Sequence, residues 1–351
     1  MGHVIRLLIT GAGAPGFAGI FSCLKEDPEL EIWCCDSNSN ASGKALCDNF
    51  FQVPKANDPL FSEELFHHCL KHKIQSIVPI VTQELEALAP VQKKFQNQGI
   101  IILMNNEEVL KNVNNKCTLY TALLGHQIEH PDFRVVTHLD QLKRFASDLG
   151  YPLQDIIMKP CLANGSRGFR KISTKYDALQ LLFKEKPSAF PLSLNALSSI
   201  LRQGDFPPFL LSEYLPGPEY SIDMICDNGN TLLCIPRLRE QINNGISVAG
   251  VIEMNEEIIR YCTLIAGKMK LHGFNGIQVK KDSGGKYKIL EINPRLQGTT
   301  AAVRLAGVNI PQLGIDYFVK GRNFFTNWKS TIQWNTSFFR VYKDFKLDKN
   351  G

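Results

Sequence analysis

The sequence predicts an α/β fold: a parallel-sheet domain with helices on both faces, continued by an α+β region. Three observations carry this. A short β-branched run, Val4-Ile-Arg-Leu-Leu-Ile-Thr10, leads into Gly11-Ala-Gly-Ala-Pro-Gly16 and then a helical segment. Strand and helix signals alternate from there to residue 105. Beyond residue 156 the pattern turns β-rich, with hairpin signals at Asp227-Asn-Gly-Asn230 and Asp282-Ser-Gly-Gly285.

Taken in order, the first strand and glycine turn are followed by a helix over 17–25 and a second strand, Glu31-Ile-Trp-Cys-Cys-Asp36. A buried strand, Ser76-Ile-Val-Pro-Ile-Val81, precedes a helix over about 83–98 and a strand over 100–104. Residues 106–150 read mainly as helices, and Tyr151-Pro152 ends them. Ile156-Ile-Met-Lys-Pro160 opens the β-rich part. The Pro-rich stretch 184–208 is a loop with a short helix near 194–203. Phe209 to Leu215 is a strand stopped by Pro216-Gly-Pro218, and the two hairpins follow.

Length and composition bound the function. The 351 residues predict two or three domains that bury about 75% of the unfolded surface. With 44% hydrophobic and 21% charged residues, wholesale disorder and fibrous repeats are excluded. No apolar run is long enough to span a membrane, and the opening apolar run is too short for a signal peptide. Ten scattered cysteines without a C-x-x-C suit a reducing cytoplasmic setting, with the thiols acting as small apolar residues. A net charge of +5 suits a phosphorylated ligand and does not call for nucleic acid.

Gly11-x-Gly13-x-x-Gly16, followed by Asp36 at the end of the next strand, has the parts of a dinucleotide fingerprint. Two readings stand side by side, phosphate binding and a structural turn. The turn is favoured, because any first turn of such a sheet needs glycine and Pro15 removes one N–H. His68 and His72, one helical turn apart, read as a solvated face rather than a metal pair.

The chemistry concentrates near the end of the chain. Alternation along Ile289-Leu-Glu291-Ile-Asn293 points Glu291 and Asn293 the same way, and Gln278 on a partner strand can join them. Three hard oxygen donors followed by Arg295 suit Mg²⁺ bridging phosphate oxygens; the alternative is an exposed sheet face with a solvated Glu291, which the apolar neighbours Ile289, Leu290 and Ile292 disfavour. Lys159, in a strand before a small-residue loop, can bring an ammonium to phosphates. Glu213-Tyr-Leu215 offers a strand end for an adenine edge, with Glu219 placed for a ribose.

This ordered set resembles the ATP-grasp superfamily: Lys116, Lys159, the 163–168 loop, Glu213 to Glu219, Gln278, then Glu291-Ile-Asn293-Pro-Arg295. It is most similar to the branch holding the carbamoyl-phosphate synthetase large subunit and the single-chain carboxylate–amine ligases, including the pyrrolysine-pathway ligase. The resemblance implies a Rossmann-like pre-ATP-grasp domain at 1–105 and a helical linker and first grasp part at 106–155. It implies a small lid subdomain at 156–215, a core subdomain at 216–325 and an extension at 326–351. With one grasp module and no glutaminase signature, the chain is not a complete carbamoyl-phosphate synthetase.

The resemblance also implies roles. Lys116, Lys159, Gly165 and Ser166 surround ATP phosphates; Glu213, Tyr214 and Leu215 receive adenine, and Glu219 the ribose. Gln278, Glu291 and Asn293 hold Mg²⁺, with Mn²⁺ as a substitute. Arg295, Lys159, Arg237 and Arg239 form the catalytic set. The implied reaction is ATP-dependent amide or peptide bond formation through an acyl phosphate, releasing ADP and phosphate, on an amino acid or other small carboxylate. The alternatives are a carbamoyl- or acyl-phosphate-forming enzyme, or a dinucleotide-binding protein built on the Gly11 loop. Candidate substrate contacts are Thr82, Glu84, Glu86, Arg237, Arg239, Ser247 and the 297–300 turn; Glu84 and Glu86 read equally well as acids that start a helix. Cys161 reads as a packed thiol. Trp328 and Trp334 pack the extension or line a homodimer contact.

Overall fold

The computed structural model describes residues 4–162, 167–184, 191–325, 328–341 and 343–344. The first sheet is five-stranded and wholly parallel: β1 (Ile5–Thr10), β2 (Leu30–Asp36), β3 (Asn49–Gln52), β4 (Ser76–Val78) and β5 (Ile101–Ile102), in the order β3-β2-β1-β4-β5. Helices α1 (Phe17–Leu24), α2 (Phe61–Lys71), α3 (Thr82–Leu88) and α4 (Gln92–Gln96) accompany it. The single helix expected over 83–98 is broken between α3 and α4 by a 3₁₀ turn holding Pro90.

Helices α5 (Glu107–Val113) and α6 (Lys116–Gly125) follow, each capped by an asparagine side chain. The helical expectation for 106–150 then fails at β6 (Phe133–Val136). It pairs antiparallel with β9 (Phe209–Glu213) after α7 (Gln141–Asp148), β7 (Ile156–Pro160), β8 (Arg170–Ile172), α8 (Ala178–Lys184) and α9 (Leu194–Leu201). This sheet runs β6-β9-β7-β8 and buries Val136, Ile156, Phe209 and Leu211 against α7 and α9.

The third sheet has six antiparallel strands: β10 (Glu219–Asp227), β11 (Asn230–Asn243), β12 (Ile246–Ile252), β13 (Gly273–Lys281), β14 (Tyr287–Asn293) and β15 (Thr336–Phe339), ordered β14-β13-β10-β11-β12-β15. Asn228 and Gly229, both at positive φ, make the tight turn between β10 and β11. One face carries Tyr220, Ile222, Met224 and Ile277 in a core shared with α6 and α10 (Glu256–Met269). The other meets the first domain, where Ile225, Ile235 and Phe274 share a core with Leu7, Ile9, Phe17 and Ile20. Helix α11 (Ile310–Phe318) and the short α12 (Trp328–Thr331) lie between β14 and β15 in the chain, and the Trp328 and Trp334 rings meet at 6.4 Å.

The joint between the first and third sheets also carries polar contacts, both at its rim and buried within it. Lys320 reaches Glu29 at 2.9 Å and Asp316 at 3.2 Å and also bonds Asp27, while Asn105 donates to Asn275 at 2.8 Å. A Cβ on Gly16 would sit 2.9 Å from the Cα of Gly298, so the first glycine turn lies directly against the 297–300 turn.

Candidate active site

The floor of the site is the stretch where one sheet face changes from apolar to polar. Along β10 that face runs Ile225, Asp223, Ser221, Glu219; along β11 it runs Ile235, Arg237, Arg239. Ser221 lies opposite Gln278, and Gln278 opposite Glu291. The alternation read from the sequence thus brings Gln278, Glu291 and Asn293 to one wall of a cleft of about 620 Å³ between this sheet and the first domain. Residues Ala14 to Gly16, Thr82, Arg167, Arg295 and the 297–299 turn close the other sides.

Glu291 is the electrostatic centre. Lys116 Nζ stands 3.1 Å from Glu291 Oε2, and Asn293 Nδ2 donates to Oε1 at 3.0 Å. Burial alone would raise this carboxyl; Lys116, Asn293 and Lys159 outweigh it and hold the group below its usual range. Lys116 is set by its position at the first turn of α6, where Asn115 Oδ1 accepts from the N–H groups of Cys117 (2.8 Å) and Thr118 (3.3 Å). Lys159 is buried in β7, and burial pulls it down to about 8, with Lys116 and Lys280 adding to the fall against Glu291 and Glu219. Gly165 and Ser166 lie outside the described residues.

Arg295 ties the two sides of the cleft together. Its Nε donates to Thr82 Oγ1 at 3.0 Å, Nη1 to the Leu296 carbonyl at 2.8 Å, and Nη2 to Asn293 Oδ1 at 3.4 Å. Arg239 also lines the cleft, donating to Ser247 Oγ at 2.9 Å, to the Gly245 carbonyl at 2.6 Å and to Glu219.

The residues expected around adenine and ribose sit at the neighbouring edge. Glu213 accepts from Lys288 Nζ at 2.8 and 3.0 Å and from the Asp132 N–H at 2.8 Å. The Tyr214 ring lies under Lys171, 4.4 Å from its centroid, and Leu215 is buried. Glu219 bonds Arg239 and stands 3.7 Å from Lys280. None of these four lines the cleft.

Several expectations need correcting. Arg237, expected to face the reaction centre, is fully buried behind the cleft wall. Its Nε donates to Asp223 at 2.6 Å and Nη1 to Thr299 Oγ1 at 2.8 Å, which makes it a support for the 297–300 turn. Gln297 and Thr300 also donate to Asp223, and glycine at 276 leaves room for the Gln297 side chain to reach it. Glu84 does not line the cleft: it is buried, accepts from Thr10, and burial pushes it up to about 7, with Asp36 adding to the rise. Cys161 is not a lone packed thiol but is joined to Cys117 in a disulfide. His68 is not on a solvated face; its ring stacks on Phe51 at 4.3 Å. Asp36 accepts from the Gly13 N–H of the glycine loop at 2.7 Å.

Sequence reasoning missed Ser221, the 244–246 turn and the Asp223 network. Ser221 was reachable by alternation from Glu219; the turn was not, because a loop without periodicity gives no direction.

The donor set fits one hard divalent ion. Gln278 and Asn293 supply amide oxygens and Glu291 a carboxylate already balanced by a cation, and phosphate oxygens suit the remaining positions. Among the described residues no group of three or more His, Cys, Asp or Glu could hold a metal ion, and no helix is long and apolar enough to cross a membrane.

Two family models match separate parts of the chain. Residues 205–338 match the family described as ATP-grasp in the biosynthetic pathway with Ter operon, and residues 7–103 match the PylC-like N-terminal domain. The chain therefore carries an ATP-grasp domain behind a PylC-like N-terminal domain. It is similar to the formate-dependent phosphoribosylglycinamide formyltransferase of Prochlorococcus marinus, 25% identical over 315 residues, covering 87% of this chain and 73% of that one. It is also 24% identical over 281 residues to the carbamoyl phosphate synthase large chain of Clostridium acetobutylicum, covering 76% of this chain and 24% of that longer protein. Among solved structures, an ADP complex of N5-carboxyaminoimidazole ribonucleotide synthetase shares the fold at TM-score 0.68 and 14% identity, covering 90% of this chain and 77% of that one. An L-amino acid ligase from Bacillus licheniformis does so at 0.67 and 13%, covering 96% and 79%.

Proposed function

We propose that the chain is an ADP-forming ligase that activates a small carboxylate with ATP and passes the acyl group to an amine. The observation that carries this reading is the wall of Gln278, Glu291 and Asn293, with Lys116 on Glu291 and Arg295 reaching across from Asn293 to Thr82. A carboxylate oxygen attacks the γ-phosphorus and ADP leaves; the amine then attacks the acyl phosphate and phosphate leaves. Bringing two anions together is the main obstacle, so Lys116, Lys159 and Arg295 neutralise phosphate charge. Gln278, Glu291 and Asn293 would hold Mg²⁺, which would add charge neutralisation on the phosphates. Arg239 orients the second substrate from the Ser247 side. The fold similarity to an L-amino acid ligase supports the carboxylate–amine class.

In this reading the protein divides as 1–105, 106–155, 156–215, 216–325 and 326–351, with 106–155 lending β6 to the lid sheet. Its partners are small molecules. The test is ADP release from ATP and Mg²⁺ with pools of amino acids, keto acids and sugar acids, in the presence of hydroxylamine. A hydroxamate dependent on one pool and absent in Glu291→Ala identifies the carboxylate. Absence of ADP with every pool, together with nicotinamide-dinucleotide binding lost in Gly13→Ala, overturns the reading.

A further inference from the structure

The Cys117–Cys161 disulfide joins elements that belong to different sheets. Helix α6 is anchored to the six-stranded sheet, where the Tyr120 hydroxyl donates to the carbonyls of Ile289 (3.0 Å) and Leu290 (3.3 Å). Cys161 directly follows β7 of the four-stranded sheet, and its N–H donates to the Pro208 carbonyl at 3.2 Å. The two α-carbons are 5.1 Å apart across 44 residues of sequence, within the range a disulfide spans without moving the backbone. Beside the bridge the Lys116 N–H donates to the Cys161 carbonyl at 2.9 Å. The bridge thus sits between Lys116, its immediate neighbour in sequence, and Lys159, two residues before Cys161. The other eight cysteines are free and buried.

We propose that Cys117 and Cys161 form a thiol–disulfide modification site that controls the joint between the two sheets and thereby how firmly Lys116 and Lys159 are held together. The consequence for nucleotide rests on the proposed function, in which both lysines hold ATP phosphates. The bridged form presents the pair already assembled; the dithiol form must order it on binding. The chemistry is exchange with an external dithiol. A reagent thiolate attacks one sulfur and forms a mixed disulfide, while the released cysteine thiolate takes a proton. The second reagent thiol then displaces the other cysteine and leaves as the cyclic disulfide, so two electrons and two protons reach the protein.

The experiment compares the oxidised full chain, the same protein reduced with dithiothreitol, and Cys117→Ser with Cys161→Ser. ATP affinity is measured by calorimetry, and amide hydrogen exchange is followed over 116–125 and 156–160. Reduction is expected to weaken ATP binding by about three- to tenfold and to speed exchange over 156–160. The double variant should match the reduced protein and ignore the dithiol. Equal affinity and exchange in the two redox states overturn the proposal, as does quantitative alkylation of both cysteines in the oxidised protein. If no form binds ATP, the ligase reading falls by itself. Exchange over 156–160 then decides alone: faster after reduction upholds control of the joint, and unchanged exchange overturns it.

Discussion

Lys116 Nζ lies 3.1 Å from Glu291 Oε2, joining the start of α6 to the far edge strand of the six-stranded sheet. A lysine thus faces the carboxylate assigned here to the divalent ion, so an ion entering the wall competes with Lys116 for Glu291. Glu291→Gln keeps the shape but removes the charge and turns one of the two accepting oxygens, which face Lys116 and Asn293, into a donor. It is expected to lower ADP release by roughly 10²–10³-fold with the fold intact. Lys116→Met is expected mainly to raise KM for ATP. Steady-state ADP formation over a range of ATP and Mg²⁺ concentrations checks both.

Lys159 keeps its charge only up to about pH 8, because burial and then its cationic neighbours work against it. ATP affinity measured without metal is expected to fall by about tenfold between pH 7 and pH 9 as the ammonium is lost. Lys159→Arg, which stays charged throughout, should flatten that profile; an unchanged slope counts against the assignment.

Glu84 has a folded value of about 7 against an ordinary 4.5, so the folded state holds an extra proton between those limits. Its contribution is therefore fully present below pH 4.5 and lost as pH rises through 7, about 3 kcal/mol in all. Glu84→Gln should match the parent near pH 4.5 and exceed it near pH 8. Urea unfolding at the two pH values reads this directly.

Arg237 and Asp223 form a buried pair beneath the 297–300 turn. Arg237→Met strands the Asp223 charge and should destabilise by about 3–5 kcal/mol. Adding Asp223→Asn removes that charge while still accepting from Thr300, so the double variant should recover part of the loss. Denaturant midpoints for the two variants test the order.

Gly16 and Gly13 differ in what they face. A methyl on Gly16 meets the Gly298 backbone at 2.9 Å, whereas on Gly13 the nearest atom is a side-chain oxygen at 3.2 Å. Gly16→Ala should cost about 1–3 kcal/mol and Gly13→Ala less. Thermal melting of the pair separates a packing role from a dinucleotide role, which predicts loss of ligand binding in Gly13→Ala instead.

Much of the fold was legible because its signals are local. The 228–229 turn needs positive φ at both positions, and Asn-Gly announces it. Alternation along 289–293 fixes which side chains share a face before any packing is known. What was not legible depends on distant segments. Phe133-Arg-Val-Val136 becomes a strand only because β9 offers an edge to it. Arg237 stands on the polar face, as alternation requires, but the 297–300 turn that covers it comes from another part of the chain. Cys117 pairs with Cys161 across 44 residues, and spacing alone cannot select one pairing among ten cysteines. His68 is drawn inward by the Phe51 ring on a neighbouring strand, which the helix's own polarity hides.

The strand at 336–339 adds to β12, and just beyond it Arg340 Nη2 donates to the carbonyl of Pro15 at 3.0 Å. A late segment of the chain thereby touches the glycine turn that was made first. During synthesis the parallel sheet can assemble early, but this wall of the cleft gains its final contact only when residues 336–340 have left the ribosome. Until then the edge of β12 stands open to pairing with another chain, so the last strand is both a latch on the site and a guard against misassembly.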